Sequence, residues 1–178
     1  LEEQLDDFED EPYGRYEKVK RGTNYHSVLE NIDLSATTQE KALAELAKMV
    51  EKGILTAEDV QDINVDEILS ILNHPIMDIA RKNKCYREQE FSLSVKACEV
   101  MDCDLEDEIF VQGAIDLLIV GEQVIVVDYK KSNEPEEMLV QRYKKQLQIY
   151  SLAVEKALGR KVDKALLFII GVGKVIEI

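Results

Sequence analysis

Gly113-Ala114-Ile115-Asp116-Leu117-Leu118-Ile119-Val120, then Gly121-Glu122-Gln123, then Val124-Ile125-Val126-Val127-Asp128-Tyr129-Lys130 is the stretch on which the fold turns. Two runs rich in aliphatic and β-branched residues, Ile109 to Val120 and Val124 to Lys130, flank a short loop containing Gly, which predicts a β-hairpin. Residues two apart on a strand face the same side. Val124, Val126, Asp128 and Lys130 therefore share one face, and Ile125, Val127 and Tyr129 share the other. Apolar residues on both faces predict a strand buried on both sides. A carboxylate and an ammonium at the end of such a strand need compensation, and an ion pair between Asp128 and Lys130 is one way to provide it.

A loop of Gly121 to Gln123 pairs Val120 with Val124 and so sets Asp116 opposite Asp128. Like charges directly opposed destabilise a sheet, and a bound divalent cation would remove that repulsion. A two-residue loop would instead shift the register by one and send the carboxylates to opposite faces. Two aspartates and a lysine on one face meet the needs of phosphodiester hydrolysis. Carboxylates hold Mg²⁺ or Mn²⁺ through hard oxygen ligands. The cation polarises phosphate and activates water, and the lysine stabilises developing charge.

Towards the C-terminus, Met138 to Leu158 reads as a long helix ended by Gly159. Leu139, Tyr143, Leu147, Tyr150, Val154 and Leu158 form its apolar stripe, and Gln146 sits beside it. Gln146 is either a surface or core group with a local partner, or a residue facing the site. Ala165 to Ile170 and Lys174 to Ile178 read as the last strands. Gly171-Val172-Gly173-Lys174 is not a phosphate-binding loop, which needs a longer glycine-framed turn and a following helix.

Towards the N-terminus the chain is mostly helical. A helix opens at Arg21-Gly22-Thr23, with Thr23 as N-cap, and carries Tyr25, His26, Val28 and Leu29. Thr37-Thr38-Gln39-Glu40 starts a second, with Leu43, Leu46, Ala47 and Val50 on one face and Gly53 at its end. Thr56 to Ile63 and Val65 to Leu72 are short helices. His74-Pro75 breaks the pattern before a turn or two over Ile76 to Arg81. The first strand spans Glu90 to Val100. Residues 1–20, dense in Asp and Glu, read as an acidic linker or arm before a domain of residues 21–178. The expected class is α/β: a mixed sheet with flanking helices, preceded by a mostly helical part.

The 178 residues suit one domain, and 46% hydrophobic residues suffice for its core. The net charge of −14 opposes a free-standing nucleic-acid binder, which would present a basic face. Most of the 36 acids must be solvated surface. Cys85, Cys98 and Cys103 show no zinc-type spacing and read as reduced, intracellular thiols. No run is long and apolar enough to cross a membrane, so the expected setting is cytoplasmic. Leu1 in place of Met suggests an excised piece of a longer protein. His26 on residue spacing alone is a packed or surface histidine, and His74 has no role.

Gly22-Thr23-x-x-His26, Gly113-x-x-Asp116, Asp128-Tyr129-Lys130 and Gln146-x-x-x-Tyr150 occur in this order. They resemble the RecB-type nuclease motifs of the PD-(D/E)XK superfamily. Arg142-Tyr143-x-x-Gln146-Leu147-x-x-Tyr150 and Arg87-Glu88-Gln89-Glu90-Phe91 look most like its AddA-type helicase–nuclease branch, and the resemblance runs from about Arg21 to Ile178. The resemblance implies a restriction-endonuclease-like core. It implies that His26, Asp116, Asp128 and the Tyr129 carbonyl bind Mg²⁺, with Mn²⁺ able to substitute. Lys130 is then the catalytic lysine, and Gln146 and Tyr150 line the site and contact DNA. The implied activity is exonucleolytic DNA cleavage in double-strand break processing and recombinational repair. The implied partners are single-stranded DNA ends, a helicase region of the same parent polypeptide and a second, AddB-type protein, in a nucleoid-associated setting. A motor that grips DNA would make the acidic charge tolerable. Lys131 stands where that branch often has Thr or Ser. No cysteine follows Cys103, so no iron–sulfur cluster is expected. Two alternatives remain: a stand-alone phage-type exonuclease, and a silent nuclease-like scaffold or DNA-binding module.

Overall fold

The structure, a computed structural model, describes residues 12–100 and 106–178, with side chains from Gly22 onward. Five helices come first: α1 (Pro12–Asn31), α2 (Gln39–Glu51), α3 (Ala57–Gln61), α4 (Val65–Leu72) and α5 (Pro75–Lys82). Strand β1 (Lys84–Lys96) leads through the helical turn α6 (Ala97–Val100) to β2 (Glu108–Val120) and β3 (Val124–Lys131). Helix α7 (Glu136–Leu158), β4 (Lys164–Ile170) and β5 (Lys174–Glu177) follow.

The strands form one sheet in the order β1-β2-β3-β4-β5. All neighbours are antiparallel except β3 and β4, which run parallel across the α7 crossover. The sheet is therefore mixed, as expected. Helices cover both faces. Leu117, Ile119, Ile125, Val127, Tyr129, Leu166 and Phe168 pack against the N-terminal helices. Leu118, Val124, Val126, Leu167 and Ile169 pack against Leu139, Leu147, Tyr150 and Val154 of α7. This two-sided cover explains why β3 is buried from Val124 to Tyr129.

Local chemistry sets the helix ends. The Thr38 and Thr56 side chains accept backbone N–H bonds at the starts of α2 and α3, and Asp59 returns the bond in a capping box. The His74 ring accepts from Ile76 N–H at the start of α5, where Pro75 takes the first turn. Gly159, in the left-handed conformation, ends α7.

Four expectations change. Helix α1 already runs from Pro12, so Thr23 lies within it and is not a cap. Residues 12–20 of the expected acidic arm thus belong to a helix, and residues 1–11 lie outside those described, as does Cys103. On α2, Ala42, Leu46 and Met49 are buried, while Leu43 is 48% exposed. The helix is rotated from the predicted face because Met49 supplies more apolar surface inward than Ala47. Similarly, Leu158 of the α7 stripe is exposed and Ala153 takes a buried place. Strand β1 begins at Lys84, well before Glu90, and ends at Lys96, so Arg87 to Phe91 lies inside it and Ala97 to Val100 is helical.

The rotation of α2 is measurable by urea denaturation. Leu46→Ala should cost about 2–5 kcal/mol. Leu43→Ala should change stability by less than about 0.5 kcal/mol. Equal costs would contradict the observed face.

Candidate metal centre

The β2–β3 ladder pairs Val120 with Val124 and continues to Leu117 with Val127, the register of a three-residue loop. It stops one step before Asp116 and Asp128. There the strands part, and the Asp116 carboxylate accepts the Tyr129 backbone N–H at 2.7 Å, in place of a ladder bond. Asp116 is 7% exposed and Asp128 0%. The hairpin thus delivers two buried carboxylates to one place, as the sequence predicted.

The β1–β2 ladder breaks at the same level. Arg87 pairs with Leu117 and Gln89 with Ile115, leaving Glu88 across from Asp116. Glu88 has φ +47°, a left-handed backbone that costs a non-glycine residue energy. This conformation turns its carboxylate towards α1. Arg87 fixes the approach of α1 by donating to the Leu29 and Ile32 carbonyls near the helix C-terminus. A second tie joins α1 to α4 and β3, because Glu67 accepts from the Tyr25 hydroxyl and from Lys131 Nζ.

These ties set His26 over the strand ends. A backbone carbonyl can only accept, so His26 Nε2–H donates to Tyr129 O at 3.0 Å. In the neutral ring, Nδ1 is then a lone pair. It lies 3.4 Å from Asp116 Oδ1 and 3.6 Å from Glu88 Oε1. Three electron-rich ligand atoms thus converge, all within 4.8 Å of one another. Either a proton on Nδ1 or a cation between them relieves the repulsion. Burial opposes the proton, yet the Asp116 carboxylate and then Glu88 outweigh burial and the nearby Lys130 charge, raising the His26 pKa. Burial, followed by the Asp116 charge, also raises the Glu88 pKa.

Asp128 is the second half of the site. Lys130 Nζ donates to Asp128 Oδ1 at 3.0 Å and is ion-paired with Oδ2 at 2.9 Å. Burial pushes the Asp128 pKa up to about 6, against the pull of Lys130 and with the push of Asp116. The Lys130 pKa is raised despite burial, because Asp128 favours its charge. Lys130 also lies 4.9 Å from the centre of the Tyr143 ring, a cation–π contact. Gln146 donates to the Tyr150 hydroxyl at 2.8 Å. Burial first, then the Asp128 and Asp116 charges, push the Tyr150 pKa up.

The donor set fits a divalent cation. It offers the hard carboxylate oxygens of Glu88 and Asp116 and one imidazole nitrogen of His26. The structure brings His26 and Asp116 together, as the motifs implied, and adds Glu88 as a further candidate ligand that sequence reasoning did not single out. Asp128 stands beside this group, paired with Lys130. The Tyr129 carbonyl orients the histidine, the arrangement usual for a ligand's partner one step from a metal. Glu88 was hidden because no alternation marks a strand there. Its only sequence signal was its place in the Arg87 to Phe91 segment.

The PD-(D/E)XK nuclease superfamily model matches residues 2–176. The A subunit of the ATP-dependent helicase/nuclease of Alkaliphilus oremlandii is 33% identical over 163 residues, covering 86% of this chain and 14% of that protein. Its counterpart in Clostridium acetobutylicum is 30% identical over 173 residues, covering 89% and 14%. That of Ligilactobacillus salivarius is 32% identical over 163 residues, covering 86% and 13%. The chain thus spans about one seventh of the length of these relatives. The solved structure of SSO0001 superposes over 96% of this chain and 78% of its own, with a TM-score of 0.40 and 15% identity.

Cation binding should appear as stability. A ligand at a hundred times its Kd stabilises a fold by about 2.7 kcal/mol. Adding Mn²⁺ should raise the thermal midpoint of the unaltered chain, and Asp116→Asn or Glu88→Gln should remove most of that rise. A rise of the same size in both variants would place the cation elsewhere.

Proposed function

We propose that this chain, which belongs to the PD-(D/E)XK nuclease superfamily, hydrolyses DNA phosphodiester bonds with a divalent cation, Mg²⁺ or Mn²⁺, held by His26, Glu88 and Asp116. The observation that carries this reading is the convergence of His26 Nδ1, Glu88 and Asp116 in one cluster of candidate ligands. A bound cation would supply Lewis-acid polarisation of a phosphate oxygen and a lowered pKa for water.

The chain's own groups do the rest. Tyr129 O accepts from His26 Nε2–H and so aims Nδ1 at the carboxylates. Asp128 anchors Lys130 through both of its carboxylate oxygens. Lys130, held between Asp128 and the Tyr143 ring, presents fixed positive charge to the phosphate. Gln146 and Tyr150 line the approach from α7, where their paired amide and hydroxyl can hydrogen-bond DNA or water. The buried floor beneath the site limits solvent screening of these charges.

The relatives' name, which joins helicase and nuclease, supports a setting in which a helicase region of one longer polypeptide feeds single-stranded DNA ends to this domain. An AddB-type partner and a role in break processing and recombinational repair follow from the same likeness. This setting also accommodates the net charge of −14, because a motor would supply the phosphate contacts that dominate affinity. Among the described residues, no helix is long and apolar enough to cross a membrane.

Cleavage of end-labelled single-stranded DNA tests the reading. The unaltered chain should cut in Mg²⁺ or Mn²⁺ and not in chelator. Asp116→Ala, Asp128→Ala and Lys130→Ala should each lose about a hundredfold or more in rate while keeping the native circular dichroism. Chelator-resistant cleavage, or full activity in Lys130→Ala, would overturn the assignment.

A further inference from the structure

Glu67, on α4, stands outside the metal centre and binds the chain neighbours of two of its groups. One carboxylate oxygen, Oε2, accepts from the Tyr25 hydroxyl, and Tyr25 precedes His26 on α1. The other, Oε1, accepts from Lys131 Nζ, and Lys131 follows Lys130 on β3. Lys131 Nζ also lies 5.2 Å from the centre of the Tyr25 ring, a cation–π contact that closes the triangle.

Backbone periodicity turns a grip on each neighbour into an orientation for the site residue. Successive residues of a helix point about 100° apart. With the Tyr25 ring buried in the core, His26 is turned towards Tyr129 O. The Tyr25 hydroxyl is also held at the start of α4, where it accepts the Asn64 backbone N–H at 3.0 Å. Successive residues of a strand face opposite sides. Lys131 therefore faces the N-terminal helices, as Val127 and Tyr129 do, while Lys130 turns to Asp128 and the Tyr143 ring.

These bonds fall where β3 has least support. Its ladder with β2 ends at Val127, and its ladder with β4 ends at Lys131 and Ile170. The turn that follows β4 lies directly on the ion pair: a Cβ on Gly171 would come within 3.0 Å of Lys131 Nζ and 3.2 Å of Glu67 Oε1. Holding two helices and a strand together does not require a carboxylate, since apolar side chains of similar volume often replace such a pair without loss of stability. A carboxylate with two charge-assisted or directed bonds supplies fixed geometry instead. Fixed geometry matters here, because misplacing reacting groups by about 1 Å can cost about a hundredfold in rate.

We propose that Glu67 is a positioning residue that aligns the two halves of the site: through Tyr25 it sets His26 against Asp116 and Glu88, and through Lys131 it sets Lys130. The proposal rests on the reading of the site as a metal-dependent nuclease. The two bonds are separable. Cation affinity depends on the Tyr25 bond, and turnover depends on the Lys131 bond.

The test compares Tyr25→Phe, Lys131→Met and Glu67→Gln with the unaltered chain. It reads histidine NMR without metal, Mn²⁺ affinity by electron paramagnetic resonance, and cleavage of single-stranded DNA at saturating Mn²⁺. The chain has two histidines, and the His26 Nε2–H, bonded to Tyr129 O, should give a proton signal protected from solvent exchange. Tyr25→Phe should lose that protection and bind Mn²⁺ roughly tenfold more weakly, the scale seen for partners of a metal ligand. Its kcat at saturating Mn²⁺ should match that of the unaltered chain. Lys131→Met should keep the signal and the Mn²⁺ affinity and lose roughly tenfold in kcat. Glu67→Gln should show both losses. It retains the Lys131 charge, so its lower kcat reports position. If Glu67→Gln does not fold by circular dichroism, the opposite losses expected of Tyr25→Phe and Lys131→Met decide the matter. A folded Glu67→Gln with a lower thermal midpoint but an unchanged His26 signal, Mn²⁺ affinity and kcat would overturn the inference while leaving the nuclease reading intact. Loss of the signal in Glu67→Gln, where the unaltered chain neither binds Mn²⁺ nor cuts DNA, would keep the placement of His26 by Glu67 and sink the nuclease reading.

Discussion

The structure depends on how it holds carboxylates that repel one another. Asp116, Asp128 and Glu88 stand where two ladders of the sheet open, with His26 above them. Buried like charges raise one another's cost, and low solvent access makes the cost larger. The fold offsets part of it locally. Tyr129 N–H binds Asp116, Lys130 binds Asp128, and His26 sits between Asp116 and Glu88. The remainder is visible as a strained Glu88 backbone and a raised Asp128 pKa. Local rules broken together at one place are the physical mark of a functional site.

Holding such a cluster together requires a rigid frame. The sheet is packed on both faces, by α7 on one and by the N-terminal helices on the other. The N-terminal helices do more than cover apolar surface. Arg87 and Glu67 tether α1 at Leu29 and at Tyr25, and His26 lies between those two points along the helix. Lys131 takes part in the second tether, which gives a structural role to a lysine that departs from the expected Thr or Ser.

Much of this was legible in the sequence. The glycine-containing loop set the hairpin register, and the alternation around Asp128 showed its face and its burial on both sides. The stripe on α7 was largely correct because helical period survives a few misplaced residues. The α2 face was misjudged because Leu43 and Leu46 both looked inward, and only packing decided between rotations. Glu88 escaped because its strand lacks alternation at that point and its backbone conformation is atypical for any strand. His26 could be placed only by resemblance, since its contact with Tyr129 spans more than a hundred residues of chain. Gln146, ambiguous as an edge residue, proved to be bonded to Tyr150.

Anomalous X-ray diffraction at the manganese edge, from crystals soaked in Mn²⁺, tests the central claim most directly. The account predicts a peak bounded by His26 Nδ1, Glu88 and Asp116, within about 2.0–2.3 Å of at least two of them. A well-occupied peak elsewhere, or none at saturating Mn²⁺ with this cluster intact, would contradict it.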